Sequence, residues 1–152
     1  MDRTANQMLI IFGASGDLTA RKLIPAIYNL YKEGHLPDNF AVLGASRSDW
    51  SDDDFRKNVV KESPYLKDEL KDEDKAHIKG FCDILFYHEL GDDQDDDYSS
   101  LKNRIADLNK EHGTDSNYIF YFSVPPAAYK PIAKNIHEQG LHKEDDGWKR
   151  LI

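Results

Sequence analysis

The stretch from Met8 to Ile24 constrains the fold more than any other part of the chain. Five apolar residues, Met8 to Phe12, run into Gly13-Ala14-Ser15-Gly16, and an amphipathic segment follows. A strand, a glycine turn and a helix in that order bring backbone N–H groups and the positive end of a helix dipole to one point, with no side chain at the glycines to block an anion. The expected ligand is a pyrophosphate on the N–H groups of residues 14 to 18. A bare G-x-x-G turn without a middle glycine is also compatible with a tight connection and nothing more. A Walker A loop is excluded, because Lys22 lies too far from Gly16 and is followed by Leu23 instead of Ser or Thr.

The rest of the chain repeats the alternation. Phe40 to Ala45, Asp83 to His88 and Tyr118 to Val124 read as strands, and an apolar run begins again near Lys149. Between them, Pro25 predicts a kink after a short first turn, then a regular helix to Lys32 closed by Gly34. Ser51 with Asp54 forms a capping-box start for a helix to about Lys61. Residues 62 to 80 are charged and predict one or two surface helices. Leu101, Ile105 and Leu108 mark a helix ending near Gly113, and another runs from about Ala127 to Gln139. Residues 1 to 7 are polar and expected to be loose. The order βαβαβαβαβ predicts an α/β fold of doubly wound, Rossmann type, with a mostly parallel sheet and helices on both faces. Ligands of such folds sit at the carboxyl ends of the strands, where the winding reverses.

A chain of 152 residues supports one core but not a two-domain enzyme. Its 28 acidic against 20 basic residues give a net charge of −8, which argues against nucleic-acid or anionic-membrane partners. A phosphate ligand must therefore be held by local groups. One cysteine excludes an internal disulfide, and no signal-peptide or membrane-helix run is present, so the expected location is the cytoplasm.

Arg47, at the end of the second strand, decides between nucleotides. A site for NAD usually has an acid there for the ribose 2′-hydroxyl, whereas an arginine grips a 2′-phosphate. A charge-assisted bond from a planar guanidinium is worth about 1.5–3 kcal/mol, or about ten- to more than a hundredfold preference for NADP over NAD. An arginine in a loop is commonly only solvated, and its coupling to the glycine turn is what favours the ligand role.

Residues 13 to 28, Gly-Ala-Ser-Gly-Asp-Leu-Thr-Ala-Arg-Lys-Leu-Ile-Pro-Ala-Ile-Tyr, resemble the coenzyme-binding signature of the glucose-6-phosphate dehydrogenases. The likeness continues through Gly44-Ala45-Ser46-Arg47-Ser48, through Phe120 to Pro126 and through Gly147 to Ile152, and so spans the chain. The resemblance implies that Gly13, Ala14, Ser15, Gly16, Asp17 and Leu18 line the pyrophosphate, and that Ser15 and Arg47 hold the 2′-phosphate. Lys22 corresponds to a family lysine near the reacting end of the site, and is equally readable as a solvated helix lysine. Tyr121 matches a residue beside the coenzyme, in a strand where buried aromatics are commonly core. An adenine-side contact would fall near Gly91-Asp92, where the register is ambiguous.

In that family a Val-Glu-Lys-Pro-Phe-Gly motif and a large α+β domain with an Arg-Ile-Asp-His-Tyr substrate motif follow the coenzyme domain. Both lie outside this sequence, which is therefore expected to be a fragment. The resemblance implies that the full-length protein oxidises glucose 6-phosphate to 6-phosphogluconolactone, the first step of the pentose phosphate pathway, with a histidine base from the other domain. It also implies a homo-oligomer. Residues 1 to 152 alone, with no catalytic residue assigned, are expected to bind NADP weakly without turnover. The alternative is a self-contained NADP sensor or interaction module, which a reading frame continuing into Glu-Lys-Pro would exclude.

The remaining features read as structural. Asp92 to Asp97 lacks the glycine and the final glutamate of an EF-hand and reads as a solvated helix N-terminus. The histidines have no metal-ligand spacing, and Cys82 reads as an inert buried thiol. Pro125-Pro126 either ends the fourth strand or shapes a wall of the nicotinamide site, and allows a cis bond.

Overall fold

The computed structural model describes residues 4–91 and 98–152. The sequence run Asp92 to Asp97, expected at a helix N-terminus, lies outside the described residues. The described residues form five parallel strands in the order β3-β2-β1-β4-β5. They are β1 (Gln7–Phe12), β2 (Phe40–Ser46), β3 (Leu85–Glu89), β4 (Tyr118–Phe122) and β5 (Lys149–Leu151). Among the described residues six α-helices accompany them: α1 (Ile24–Lys32), α2 (Asp52–Arg56), α3 (Lys67–Leu70), α4 (Lys75–Cys82), α5 (Ser99–His112) and α6 (Tyr129–Glu138).

Alternation along the strands feeds two apolar layers, as a sheet covered on both faces requires. Met8, Ile10 and Phe12 of β1 pack with Leu101, Ile105 and Leu108 of α5 and with Ile132 and Ile136 of α6. On the other face Ile11 packs with Ile24, Ile27 and Tyr28 of α1, Phe55 of α2 and Phe81 of α4. The chain thus winds outward from β1 to β3 on one face, then crosses through α5 to begin β4 on the other side of β1. The reversal falls between β1 and β4, beside the glycine turn.

Several local expectations are corrected. Pro25 does not set off a separate first turn: a widened π turn, Thr19–Leu23, runs directly into α1. The Ile24 N–H reaches back to the Thr19 carbonyl, so widening the preceding turn accommodates the proline, which has no N–H of its own to donate. The helix after Ser51 has the expected capping box with Asp54, but it widens into a second π turn over Lys57–Lys61. The charged region contains two helices, and α4 runs to Cys82, delaying β3 to Leu85. β2 extends one residue further than expected, to Ser46, and β4 stops at Phe122. The Ser123 N–H then bonds to the Phe12 carbonyl at 2.9 Å, and a 3-10 turn, Pro126–Ala128, leads into α6. All described peptide bonds are trans. Residues 6 and 7 are not loose: Asn6 accepts the Asn39 N–H at 3.0 Å and the Asn117 side-chain amide at 2.9 Å, which ties the start of β1 to both neighbours.

Candidate functional site: the glycine turn and two hollows at the strand ends

Gly13 adopts φ +83°, and a Cβ there would stand 2.0 Å from the Ser123 carbonyl oxygen and 2.8 Å from Val124 Cγ1. The glycine therefore lets the turn approach the end of β4, beyond any role in admitting a ligand. Gly13 N–H donates to the Ala45 carbonyl at 2.9 Å, and the Gly13 carbonyl accepts from Gly16 N–H at 3.0 Å and from the Thr19 hydroxyl at 3.2 Å. The turn is thus fixed to β2 on one side and to the first helical turn on the other.

This bonding sorts the N–H groups of residues 14 to 18. Ala14 N–H is aimed at the Ala45 carbonyl at 3.4 Å, and Gly16 N–H is used inside the turn. Those of Ser15, Asp17 and Leu18 donate to no carbonyl among the described residues, and they lie where a helix begins. Three unpaired donors at the positive end of a helix are what a pyrophosphate requires. Asp17 places a carboxylate nearby, but Arg21 pairs with it at 2.9 Å and the Tyr65 hydroxyl lies 3.3 Å away.

Two hollows open around the turn, and they meet at Val124. The first, of about 470 Å³, is lined by Gly13, Ser46, Arg47, Gly91, Tyr98 and Val124, with Pro131, Ile132 and Asn135 of the α6 segment closing it. The second, of about 610 Å³, contains Leu18, Tyr121, Phe122, Val124 and Tyr129. The structure therefore brings Gly13 and Arg47 to one hollow and Leu18 and Tyr121 to the other. Tyr121 is half-buried, paired in register with Ile11, and touches the core beneath α1 as well. Ala14 is fully buried, and Lys22 is exposed in the π turn and lines neither hollow.

Arg47 is exposed and has neither ion pair nor side-chain hydrogen bond to any described residue. Around it lies a cluster of hydroxyls. Ser48 donates to the Ser15 hydroxyl oxygen at 2.9 Å, and the Ser46 hydroxyl, also 2.9 Å from Ser15, has one proton to share between Ser15 and the Tyr87 oxygen. The Tyr87 hydroxyl donates to the Ser48 carbonyl at 2.7 Å and lies 2.6 Å from Ser46 Oγ. Burial raises the Tyr87 pKa above 10.0, against the opposing hydrogen bonds from Ser46 and Ser48, so the phenol stays a donor at neutral pH. Sequence reasoning missed Tyr87. The available signal was a tyrosine in a strand predicted to be buried, whose hydroxyl must find a partner.

Among the described residues, no three His, Cys, Asp or Glu side chains gather into a metal site, and no helix is long and apolar enough to cross a membrane. The family model described as "Glucose-6-phosphate dehydrogenase, NAD binding domain" matches residues 10–152. The chain is 42% identical over 99% of its length to a glucose-6-phosphate 1-dehydrogenase of Aggregatibacter actinomycetemcomitans, of which it covers 30%. It is 36% identical over 95% of its length to that of Leuconostoc mesenteroides, of which it covers 29%. A solved structure, "Glucose-6-phosphate dehydrogenase in complex with its substrate glucose-6-phosphate", superposes with a TM-score of 0.79 at 30% identity, over 99% of this chain and 30% of that one. The chain thus spans somewhat under a third of the length of the relatives it matches. A doubly wound sheet, a glycine turn at its switch point and a family match across both place the chain in the glucose-6-phosphate dehydrogenase family, as its NAD-binding domain.

Proposed function

We propose that residues 1–152 are the NADP-binding domain of a cytoplasmic glucose-6-phosphate dehydrogenase, which in its full length is a homo-oligomer oxidising glucose 6-phosphate to 6-phosphogluconolactone. The observation that carries the preference for NADP is Arg47, exposed at the rim of the first hollow and unpaired with any described residue. The adenosine half fits the first hollow, the pyrophosphate the turn at residues 13 to 18, and the nicotinamide half the second hollow beside Leu18 and Tyr121. The N–H groups of Ser15, Asp17 and Leu18 are the pyrophosphate donors in this arrangement. Ser15 and Arg47 hold the 2′-phosphate: the serine offers a hydroxyl proton and the guanidinium a paired set of donors. Val124 and the half-buried Tyr121 exclude water beside the nicotinamide end, and we assign the exposed Lys22 to the reacting end of the site. The coenzyme, when bound, supplies the hydride acceptor for oxidation at C1 of the sugar phosphate. The base that takes the C1 hydroxyl proton lies outside this sequence, and residues 1–152 are expected to show no turnover.

Calorimetric titration of the chain with NADP and NAD tests the reading. Arg47→Ala should weaken NADP about ten- to more than a hundredfold and leave NAD within about twofold. An unchanged affinity for NADP would reject the phosphate assignment, and dehydrogenase activity from residues 1–152 alone would reject the division of labour.

A further inference from the structure

We propose that Tyr87 is a positioning residue for coenzyme specificity: its hydroxyl clamps residues 46 and 48, on either side of Arg47, and so holds the 2′-phosphate site ready before the ligand arrives. This rests on the NADP reading above. Strand ends and the loops that follow are ordinarily the least constrained part of a sheet, yet this one is fixed from several directions. Ser46 carbonyl accepts Leu90 N–H at 2.7 Å, and Ser48 carbonyl accepts both Trp50 N–H at 2.9 Å and the Tyr87 hydroxyl. The Ser46 and Ser48 side chains converge on Ser15, which joins the loop to the glycine turn. Arg47 is left as the exposed residue between two anchored neighbours.

The phenol is itself immobilised. Tyr87 is 3% exposed, its ring packs at 5.5 Å centroid distance from both Trp50 and Phe55, and its N–H donates to Asp52 Oδ1 at 2.8 Å. Asp52 is in turn held by Arg104 at 2.9 Å. A rigid ring with one polar atom at its tip can fix a loop without entering the ligand's space, and Tyr87 lines neither hollow. Order established in the free protein is order that binding need not supply, and this benefit falls on the part of the ligand that the loop touches. Only the 2′-phosphate distinguishes NADP from NAD there.

The test is the ratio of dissociation constants for NAD and NADP in the unmodified chain, in Tyr87→Phe and in Ser46→Ala, with thermal melting alongside. Tyr87→Phe keeps the ring and removes the hydroxyl. It should weaken NADP about three- to tenfold, the scale of one or two side chains left to be ordered on binding, and leave NAD unchanged. Ser46→Ala removes a partner of the same hydroxyl without altering the ring packing, and should move the ratio in the same direction. The double variant should lose less than the product of the two, since the Tyr87–Ser46 contact is common to both. Equal weakening of NADP and NAD, or an unchanged ratio in both variants, overturns the positioning role while the NADP reading stands. An unmodified chain that does not prefer NADP overturns the NADP reading itself and this inference with it.

Discussion

Replacing Gly13 by alanine asks why the turn needs a glycine. Gly34, which closes α1, is the internal comparison: its φ is +73°, and a Cβ there would meet nothing within 4 Å. A left-handed backbone costs a non-glycine residue about 1–2 kcal/mol, and the reduced freedom of the unfolded chain returns about 0.4–1 kcal/mol. Gly34→Ala should therefore destabilise by about 1 kcal/mol. At Gly13 the same strain is joined by a contact of 2.0 Å between the new Cβ and the Ser123 carbonyl oxygen. That oxygen is backbone, so the end of β4 must move, and overpacking of this kind adds about 1–3 kcal/mol. Gly13→Ala should thus lie about 1–3 kcal/mol below Gly34→Ala in urea unfolding followed by circular dichroism, or about 2–12 °C lower in melting temperature. Equal losses in the two variants would refute the claim that the approach of β4 dictates this glycine. Gly16 completes the comparison, because its φ is not left-handed and a Cβ would touch only the Gly13 carbonyl at 3.2 Å. Gly16→Ala should stay within about 1 kcal/mol of the parent in stability and lose NADP affinity.

Asp52→Ala should destabilise by about 1–3 kcal/mol by leaving the buried Tyr87 N–H unpaired, whereas Arg104→Ala, removing one partner of a pair whose side chains are about a third exposed, should cost about 1 kcal/mol or less; urea melts that reverse this order would contradict the role of Asp52. Burial raises the pKa of Tyr28, Tyr87 and Tyr118 above 10.0 and that of Cys82 above 9.0, so their protonated forms are favoured in the fold. Their contribution is complete below those ordinary values and is lost as pH rises through the higher folded ones. Lys149 acts in the opposite sense, since burial lowers its pKa from 10.5 and its cost to the fold shrinks as pH rises to that value. With four groups against one, unfolding free energy should fall from about pH 9 upward, and a rise over that range would contradict these assignments. Cys82, only 3% exposed, should react with a thiol reagent far more slowly in the native chain than in urea, and comparable rates would show that α4 opens readily.

The architecture was legible because its signals are local and periodic. Continuous apolar runs such as Met8 to Phe12 specify strands buried on both faces, and the Ser51/Asp54 box and Gly113 delimit helices by their own backbone chemistry. Arg47 was legible because its place at the end of β2 follows from strand order alone. What escaped depends on contacts between elements. The π turn before Pro25 arises from hydrogen-bond sharing within a continuous helix, which apolar spacing does not record. Tyr87 acquires its partners only when β3 lies beside β2 and the loop after β2 folds back over it, at a separation of 39 residues from Ser48. The N–H groups of residues 14 to 18 could be counted from sequence, but only the folded turn shows that Ala14 and Gly16 are already engaged.

A crystal structure of the chain grown with NADP measures directly where the 2′-phosphate sits. The 2′-phosphate should lie within about 2.7–3.2 Å of the Arg47 guanidinium and the Ser15 hydroxyl, with the pyrophosphate over the N–H groups of Ser15, Asp17 and Leu18. A bound dinucleotide that leaves Arg47 in solvent, or places its 2′-phosphate away from the loop after β2, would contradict this placement.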